Sequence, residues 1–234
     1  MKAPLKKILL IEDEYKIAEF VVRGLGSAGY HVEHVTDGVN GLRHLIKNNY
    51  DLVLLDLMLP KLNGLELLQQ LRQEGNATPV IILSAKVDLS DRLLGFEVGA
   101  DDYMPKPFFV EELLAKIKVI LGRSQNAPST QTLTASHLTL DLISRKARWF
   151  DMEAVLSQRE FTLVQYLMQT PGHIYSRQQI LKNVWGINFD PETNVVDVCV
   201  QRIKRKLNGG ENDRYGPIES VRGVGYRVKA GVLA

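Results

Sequence analysis

Three acidic side chains stand at the ends of two apolar segments. Segment 7–11 (KILLI) is followed by Glu12 and Asp13, and the apolar run Leu52 to Leu55 is followed by Asp56. Carboxylates that share one site repel each other, and they stay ionised together only if a cation offsets their charge. Carboxylate oxygens completed by water are the ligands that Mg²⁺ prefers. If the two segments lie side by side, the sequence predicts a magnesium site.

A hydroxyl and an ammonium group follow two further segments. Ser84 ends another apolar run, and Lys106 comes just after the last one in this half of the chain. A carboxylate beside Mg²⁺ and a lysine can attack a phosphoryl group and form an acyl phosphate, which the Ser84 hydroxyl could hydrogen-bond. Each feature alone has a simpler explanation: the acidic cluster can begin a helix, Asp56 can begin a turn before Pro60, and Lys106 can be a surface charge.

The segments that carry these groups alternate with amphipathic ones. The apolar runs are 7–11, 31–35, 52–56, 80–84 and 103–107, and the amphipathic segments lie near 14–28, 38–48, 64–75, 89–98 and 109–121. Runs that are apolar on both faces suit a parallel sheet covered by helices, so we predict an α/β doubly wound, five-stranded parallel sheet. Ligands of such sheets bind beyond the carboxyl ends of the strands, where the polar groups above stand.

Composition sets the broad class of the protein. The chain has 234 residues, of which 45% are hydrophobic and 24% charged, as in an ordinary globular protein. No apolar run approaches the length of a membrane span, and the N-terminus lacks the features of a signal peptide. Cys199 is the single cysteine, which excludes an internal disulfide. We expect a cytoplasmic protein with no membrane partner.

A polar stretch divides the chain. Residues 123–132 are rich in Ser, Thr, Gln and Asn, and they predict a linker between domains at 1–122 and 133–234. Residues 1–122 hold 14 Lys+Arg against 17 Asp+Glu, whereas residues 123–234 hold 15 against 10. The basic second half suggests a polyanionic partner, although scatter of charge between two surfaces explains it equally well.

The second half has a different pattern. Residues 133–156 predict short antiparallel strands, and the capping boxes SQRE (157–160) and SRQQ (176–179) predict two helix starts. A third helix is expected from about Asn194 to Leu207, and the segment 219–228 predicts a hairpin around a Gly-x-Gly turn. The prediction is an α+β domain.

The third helix has the pattern of a DNA reader. Its apolar residues Val196, Val200, Ile203 and Leu207 are spaced by 4, 3 and 4, which predicts one buried stripe. A basic helix on such a stripe fits the major groove, but a basic surface helix without a partner is also possible. The hairpin favours DNA, since a tip arginine could enter the minor groove or meet phosphate. The predicted DNA-binding residues are Asn194, Val198, Cys199, Gln201, Arg202, Lys204, Arg205 and Arg222, with Cys199 either a packing residue or a weak base contact.

Together these motifs resemble a response regulator. The motifs IEDE, LLDLMLP, ILSA and GADDYMPKPF resemble those of receiver domains. The motifs REFTLVQYLMQTPGHIYSRQQIL, VWG, NVVDVCVQRIKRKL and VRGVGYRV resemble the winged-helix effector of the OmpR/PhoB subfamily. The resemblance implies a CheY-like receiver followed by a winged helix-turn-helix domain.

The resemblance also implies roles for the polar groups of the first domain. Asp56 would accept a phosphoryl group from a phosphohistidine of a sensor histidine kinase, and Ser84 and Tyr103 would form a switch pair. The implied catalytic residues are Asp56, Lys106, Ser84 and Tyr103, and the implied Mg²⁺ ligands are Glu12 (through water), Asp13, Asp56 and the backbone carbonyl of Met58. The Lys106–Pro107 peptide is expected to be cis.

The implied partners are a second copy of the chain, promoter DNA and RNA polymerase. A homodimer would form on phosphorylation through Arg92, Glu97, Asp101, Asp102, Glu112, Lys116 and Lys118, with Arg92 pairing Glu112, Asp102 pairing Lys116 and Glu97 pairing Lys118. A solvated surface with weak salt bridges is the alternative. The protein would bind double-stranded promoter DNA at sites arranged as direct repeats. The loop 184–192 would contact RNA polymerase or a neighbouring subunit.

Two other functions compete with this interpretation. A phosphatase with an aspartyl-phosphate intermediate would need a second acidic residue, as general acid, two residues after Asp56. That residue is Met58. A DNA-binding protein with a degenerate receiver would not need the complete set of acceptor, metal and lysine positions. We therefore expect a regulator rather than an enzyme, with only self-phosphotransfer and autodephosphorylation at Asp56.

Overall fold

The computed structural model describes residues 5–86, 88–122, 132–188, 193–208 and 216–230. The chain divides into two compact units, Met1–Gly122 and Arg123–Ala234. The predicted linker 123–132 lies outside the described residues except for Thr132, which begins a strand. Within the described residues, no helix combines the length and the apolar character needed to cross a bilayer.

The first unit is the predicted five-stranded parallel sheet. Its strands are β1 (Lys7–Ile11), β2 (His31–Val35), β3 (Leu52–Asp56), β4 (Val80–Ser84) and β5 (Asp102–Pro105), in the order β2-β1-β3-β4-β5. Its helices are α1 (Tyr15–Ser27), α2 (Gly38–Lys47), α3 (Gly64–Gln73), α4 (Leu89–Val98) and α5 (Val110–Gly122). The order reverses at β1, which places β1 and β3 side by side at the crossover and creates a crevice at their carboxyl ends.

The apolar pattern of the strands accounts for this fold. Every residue of β3 and β4 is buried, as expected for strands covered on both faces. On α1 the residues Ala18, Val21 and Leu25 are buried at spacings of three and four, which is the stripe of a helix packed on a sheet. Strands β3 and β4 are therefore fixed by packing along their whole length, and the side chains at their ends start from rigid positions.

Asp101 differs from its prediction as a dimer-interface residue. It is only 2% exposed, and its carboxylate accepts hydrogen bonds from Arg72 Nη2 at 3.1 Å and from the Val80 backbone N–H at 2.8 Å. Arg72 extends the same network to the backbone carbonyls of Gly99, at the end of α4, and of Asn76, just beyond α3. Asp101 thus joins α3, β4 and the start of β5 inside the receiver, where a partner surface cannot reach it.

In the second unit, the described residues form two antiparallel sheets and three helical segments. Strands β6 (Thr132–Ala135), β7 (Leu138–Asp141), β8 (Lys146–Trp149) and β9 (Met152–Val155) form a sheet in that order. Strands β10 (Tyr175–Ser176), β12 (Gly225–Val228) and β11 (Ile218–Val221) form the other. Helix α6 spans Gln158–Leu167, α7 spans Arg177–Ile180 and continues as a π-helical turn (Leu181–Trp185), and α8 spans Val195–Asn208.

Both predicted capping boxes are confirmed. At the start of α6 the Ser157 hydroxyl accepts from the Glu160 N–H, and the Glu160 carboxylate accepts from the Ser157 N–H at 2.8 Å. Ser176 and Gln179 form the same reciprocal pair before α7. These bonds satisfy backbone groups that a helix start leaves unpaired, and they fix where the two helices begin.

The buried position of Asp101 leads to a stability prediction. We expect Asp101→Asn to destabilise the receiver by about 3–5 kcal/mol, because the Arg72 guanidinium is left buried without its counter-charge. The matched control is Asp102→Asn, which removes a partly exposed carboxylate paired with Lys116 and should cost about 0–1 kcal/mol. Urea denaturation of the two variants measures the difference, and equal losses would contradict the structural role of Asp101.

Candidate functional site

The polar groups predicted at the strand ends do meet at one edge of the sheet. Glu12 follows β1, Asp56 ends β3, Ser84 ends β4 and Lys106 follows β5. Glu12, Asp56 and Ser84 are buried, and the Lys106 side chain is 9% exposed. Asp13 is exposed at the rim. The edge therefore holds two buried carboxylates, one buried hydroxyl and one ammonium group.

The Lys106 ammonium group lies between the two buried carboxylates. Its Nζ donates to Asp56 Oδ2 at 2.7 Å and to Glu12 Oε1 at 2.9 Å. Burial lowers the pKa of Lys106, but the bonds to Asp56 and Glu12 outweigh burial, so the pKa is raised. Burial raises the pKa of Glu12 to about 7, with Lys106 opposing and Asp56 reinforcing the shift. One cation thus faces two carboxylates, so either a proton on Glu12 or a further cation must balance the second negative charge.

The second negative charge and the ligand geometry fit a divalent ion. Glu12, Asp13 and Asp56 each offer a carboxylate oxygen, and the three oxygens lie within 4.8 Å of one another. Among the described residues, no donor hydrogen-bonds the buried Oε2 of Glu12, although Lys106 Nζ lies 2.8 Å away. Three hard oxygen donors suit Mg²⁺, so these residues would hold that ion. The carbonyl of Met58 remains a predicted ligand; its N–H donates to Asp56 Oδ1 at 3.1 Å.

Gly64 is a site residue that the sequence patterns did not reveal. A Cβ atom at this position would lie 2.2 Å from the Asp56 carbonyl oxygen, and the Gly64 N–H donates to the Leu57 carbonyl at 3.0 Å. Any side chain would push α3 away from the end of β3. A glycine at the first position of a helix was the available signal, and the close approach it permits holds the Asp56 backbone in place.

Ser84 and Tyr103, the predicted switch pair, are both bonded to the backbone of Lys86. The Ser84 hydroxyl accepts from the Lys86 N–H at 3.2 Å, and the Tyr103 hydroxyl donates to the Lys86 carbonyl at 2.7 Å. The Tyr103 ring is buried, which raises the pKa of its hydroxyl. The Lys86 side chain pairs with Asp91 of α4 at 3.2 Å. Lys86 therefore connects the strand-end hydroxyl to α4, a role that sequence patterns did not show.

The Lys106–Pro107 peptide is cis, as predicted.

In the second unit, α8 has the predicted buried stripe. Val196, Val200, Ile203 and Leu207 are fully buried. Of the predicted DNA-binding residues, Asn194, Gln201, Arg205 and Arg222 are exposed, and Val198 and Arg202 are partly buried. Arg222 begins the tip of the β11–β12 hairpin, where Gly223 takes a φ of 72°. The exposed side of α8 and the exposed hairpin tip thus leave polar and basic side chains accessible, as the predicted DNA interface requires.

Two predicted DNA contacts are instead interior residues. Cys199 is buried, and burial raises the pKa of its thiol, so it is a packing residue rather than a base contact. Lys204 is 5% exposed, and its Nζ donates to the Ser220 hydroxyl of β11 at 3.1 Å. Lys206, which also lies on α8, is bonded to Glu160 Oε2 at 2.7 Å. The basic residues of α8 are thus divided between the exposed face and the domain interior.

Comparisons with known proteins agree with both units. Residues 8–118 match the family described as response regulator receiver domain, and residues 151–228 match transcriptional regulatory protein, C terminal. The chain is 41% identical over 223 residues to the response regulator ArlR of Staphylococcus aureus, covering 95% of this chain and 99% of ArlR. The chain belongs to the OmpR/PhoB family of response regulators.

Solved structures of response regulators are similar over nearly the whole chain. A RitR mutant is 30% identical, with a TM-score of 0.65, over 97% of this chain and 100% of that chain. DrrB of Thermotoga maritima, described as an OmpR/PhoB homolog, is 28% identical, with a TM-score of 0.50 and the same coverage. The predicted receiver and winged-helix fold is confirmed.

The predicted dimer face of this response regulator is partly paired within the chain. Lys116 Nζ lies 3.0 Å from Asp102 Oδ2, so this predicted intermolecular pair is intramolecular here. Arg92, Glu112 and Lys118 are exposed, and Glu97 is partly buried. With Asp101 buried, the remaining candidates are Arg92, Glu97, Asp102, Glu112, Lys116 and Lys118.

The acidic cluster of this response regulator leads to a metal-binding prediction. We expect Mg²⁺ to stabilise the receiver by about 2.7 kcal/mol at 100 times its dissociation constant, because the ion binds the folded state alone. Asp13→Asn should reduce this stabilisation, since Asp13 supplies a ligand and is exposed enough to be replaced without repacking.

Thermal unfolding with and without Mg²⁺ measures the effect. The control is Glu14→Gln, which removes a neighbouring exposed acid outside the three-carboxylate cluster and should keep the full response. An equal response in Asp13→Asn and in the unaltered protein would remove Asp13 from the ligand set.

Proposed function

We propose that this response regulator accepts a phosphoryl group on Asp56 from a sensor histidine kinase and, once phosphorylated, dimerises and regulates transcription at promoter DNA. The observation that carries the proposal is the buried Asp56 carboxylate, held 2.7 Å from the Lys106 ammonium at an acidic edge. Family membership supports phosphorylation-controlled regulation. Because promoters are its targets, it would act in the cytoplasm.

The geometry at Asp56 supports attack on a phosphoryl group. An Asp56 oxygen would attack the phosphorus of a phosphohistidine, forming an O–P bond while the N–P bond breaks and the imidazole leaves. The Met58 N–H on Oδ1 and Lys106 on Oδ2 orient the carboxylate, and Lys106 can then face the phosphoryl oxygens. A Mg²⁺ ion held by the neighbouring acids would supply the positive charge that this step needs. Met58 offers no acid group for turnover, which supports a regulator rather than a phosphatase.

The Lys86 contacts support a route from Asp56 to the surface. A phosphoryl group at Asp56 offers the Ser84 hydroxyl a stronger acceptor, and moving toward it would end the Ser84 bond to Lys86. The Tyr103 hydroxyl and Asp91 of α4 are bonded to the same Lys86 residue, so they would respond together. A surface on α4 and α5 that differs between the two states would then favour the dimer.

The exposed side of α8 supports binding in a major groove. Gln201 and Asn194 can pair with adenine, and Arg205 can pair with guanine or phosphate. Arg222 at the hairpin tip would reach phosphate or the adjacent minor groove. A phosphorylated dimer would place two such units on direct repeats. Contact with RNA polymerase through 184–192 remains part of the proposal, and residues 189–192 lie outside the described residues.

Replacing Asp56 tests the phosphoryl acceptor. We expect Asp56→Asn to abolish labelling by radioactive acetyl phosphate with Mg²⁺, because the amide cannot form the acyl phosphate. The control is Asp51→Asn. The Asp51 carboxylate lies just before β3, the strand that ends in Asp56, and it accepts a hydrogen bond from Lys6. Labelling that survives in Asp56→Asn, or is lost in Asp51→Asn, would contradict the assignment.

Replacing Arg222 tests whether the β11–β12 hairpin (residues 218–228), which we call the wing, contacts DNA. We expect Arg222→Ala to weaken binding to duplexes of different sequence to a similar degree and to reduce the salt slope by about 1, because one phosphate contact is lost. Titrations across a range of salt concentrations give the slope. The control is Arg148→Ala on β8, an exposed arginine outside the predicted interface. An unchanged slope in Arg222→Ala would exclude the wing from phosphate contact.

A further inference from the structure

Two side chains of α8 form hydrogen bonds to the wing, and both bonds go to the same cross-strand residue pair. Asp197 accepts a hydrogen bond from the Tyr226 hydroxyl, and Lys204 donates to the Ser220 hydroxyl at 3.1 Å. Ser220 and Tyr226 lie directly opposite each other in the β11–β12 ladder. Asp197 and Lys204 are seven residues apart, which puts them on one side of the helix two turns from each other. Both strands of the wing are therefore bonded to the helix at the same level.

Asp197 is itself held in place. Arg177 of α7 donates to the second Asp197 oxygen and also to the Thr193 carbonyl just before α8. Both carboxylate oxygens are thus engaged, one by α7 and one by the wing. Asp197 also lies in the first turn of α8, where the helix dipole favours a negative charge. These contacts join α7, α8 and β12 through one carboxylate.

The wing has its apolar anchor at the end away from its tip. Ile218 and Val228 are opposite each other and fully buried, whereas the tip residues Arg222 to Val224 are exposed. An isolated two-stranded hairpin is only marginally stable in water. The Ser220–Tyr226 pair lies between these ends and is separated from the tip by the Val221–Gly225 pair. Its bonds to α8 are therefore placed to limit movement of the tip.

We propose that Asp197, Lys204, Ser220 and Tyr226 are positioning residues that fix the wing against α8 and so determine where Arg222 meets DNA. This inference rests on the proposed DNA binding. Major-groove contacts from α8 and the wing contact belong to one docking geometry, so a wing that shifts against α8 loses the benefit of Arg222. This positioning role also explains why Lys204 of α8 is buried rather than exposed to DNA phosphates.

The Asp197–Tyr226 and Lys204–Ser220 contacts are together called the clamp. A double-mutant cycle with the full-length protein tests it. The probe is a duplex selected from a random-sequence pool by the unaltered protein after treatment with acetyl phosphate. In the unaltered background, we expect Arg222→Ala to weaken binding roughly tenfold. In the Ser220→Ala/Tyr226→Phe background, which loses both hydroxyls but keeps the backbone and the ring, the same change should cost about threefold or less.

The control is Tyr166→Phe. Its hydroxyl is bonded to Asn183, outside the clamp, so Arg222→Ala should keep its tenfold effect there. A merely structural role of the clamp would lower affinity in every variant without changing the effect of Arg222→Ala. Equal Arg222→Ala effects in the unaltered and clamp-deficient backgrounds would overturn the inference. If the double variant does not fold, Ser220→Ala alone provides the comparison, since Ser220 is exposed.

Hydrogen exchange separates failure of the clamp from failure of DNA binding. We expect the Gly223 and Val224 amides to exchange roughly tenfold faster in the clamp-deficient variant than in Tyr166→Phe, because opening the hairpin tip becomes easier. Unchanged exchange would overturn the clamp whether or not DNA binds. If the unaltered protein selects no duplex while exchange changes as expected, the proposed function fails and the structural clamp stands.

Discussion

The contact of Lys106 with Glu12 and Asp56 is the constraint on which the receiver depends. Removing charges from water costs several kcal/mol per ion, and only well-placed counter-charges recover that cost. The carboxyl ends of β1, β3 and β5 must therefore bring the Glu12 and Asp56 carboxylates to within 3 Å of the Lys106 ammonium, which requires strands as fully packed as β1 and β3. Since one ammonium cannot neutralise two carboxylates, the arrangement favours a further cation at the same edge. The proposed phosphoryl acceptor and the proposed metal site thus have the same physical origin.

Much of this could be predicted because parallel sheets follow simple rules. The apolar run of β3 indicates burial on both faces, and polar residues after neighbouring strands must meet at the same edge. What could not be predicted is how closely the groups approach. The division of Lys106 between two acids depends on loop conformations, and the contact of Gly64 with the Asp56 carbonyl depends on the docking of α3. Residue type predicted the chemistry, and tertiary packing decided the geometry.

The errors at Lys204 and Asp101 have one physical cause, which is that a charged residue can turn inward when a distant partner receives it. Successive helix residues are turned by about 100°, so Lys204 lies beside the buried stripe of α8 rather than opposite it. Its partner Ser220 is 16 residues away, and the partner of Asp101 is 29 residues away. Neither separation is visible as a local pattern. Cys199 flanks the other side of the stripe, and its burial follows from the same geometry.

The inward charges change how the basic second half should be understood. Lys206 is bonded to Glu160, Arg177 to Asp197, and Lys204 to the wing, so these cations organise the domain before any DNA arrives. The excess of Lys and Arg in residues 123–234 therefore overstates the charge available for phosphate. Only cations that reach DNA phosphates release counterions. The salt dependence of DNA binding should therefore be modest for so basic a domain. At the proposed DNA interface, sequence selectivity would then depend on polar residues such as Gln201 and Asn194, and their position depends on how rigidly α8 and the wing are held together.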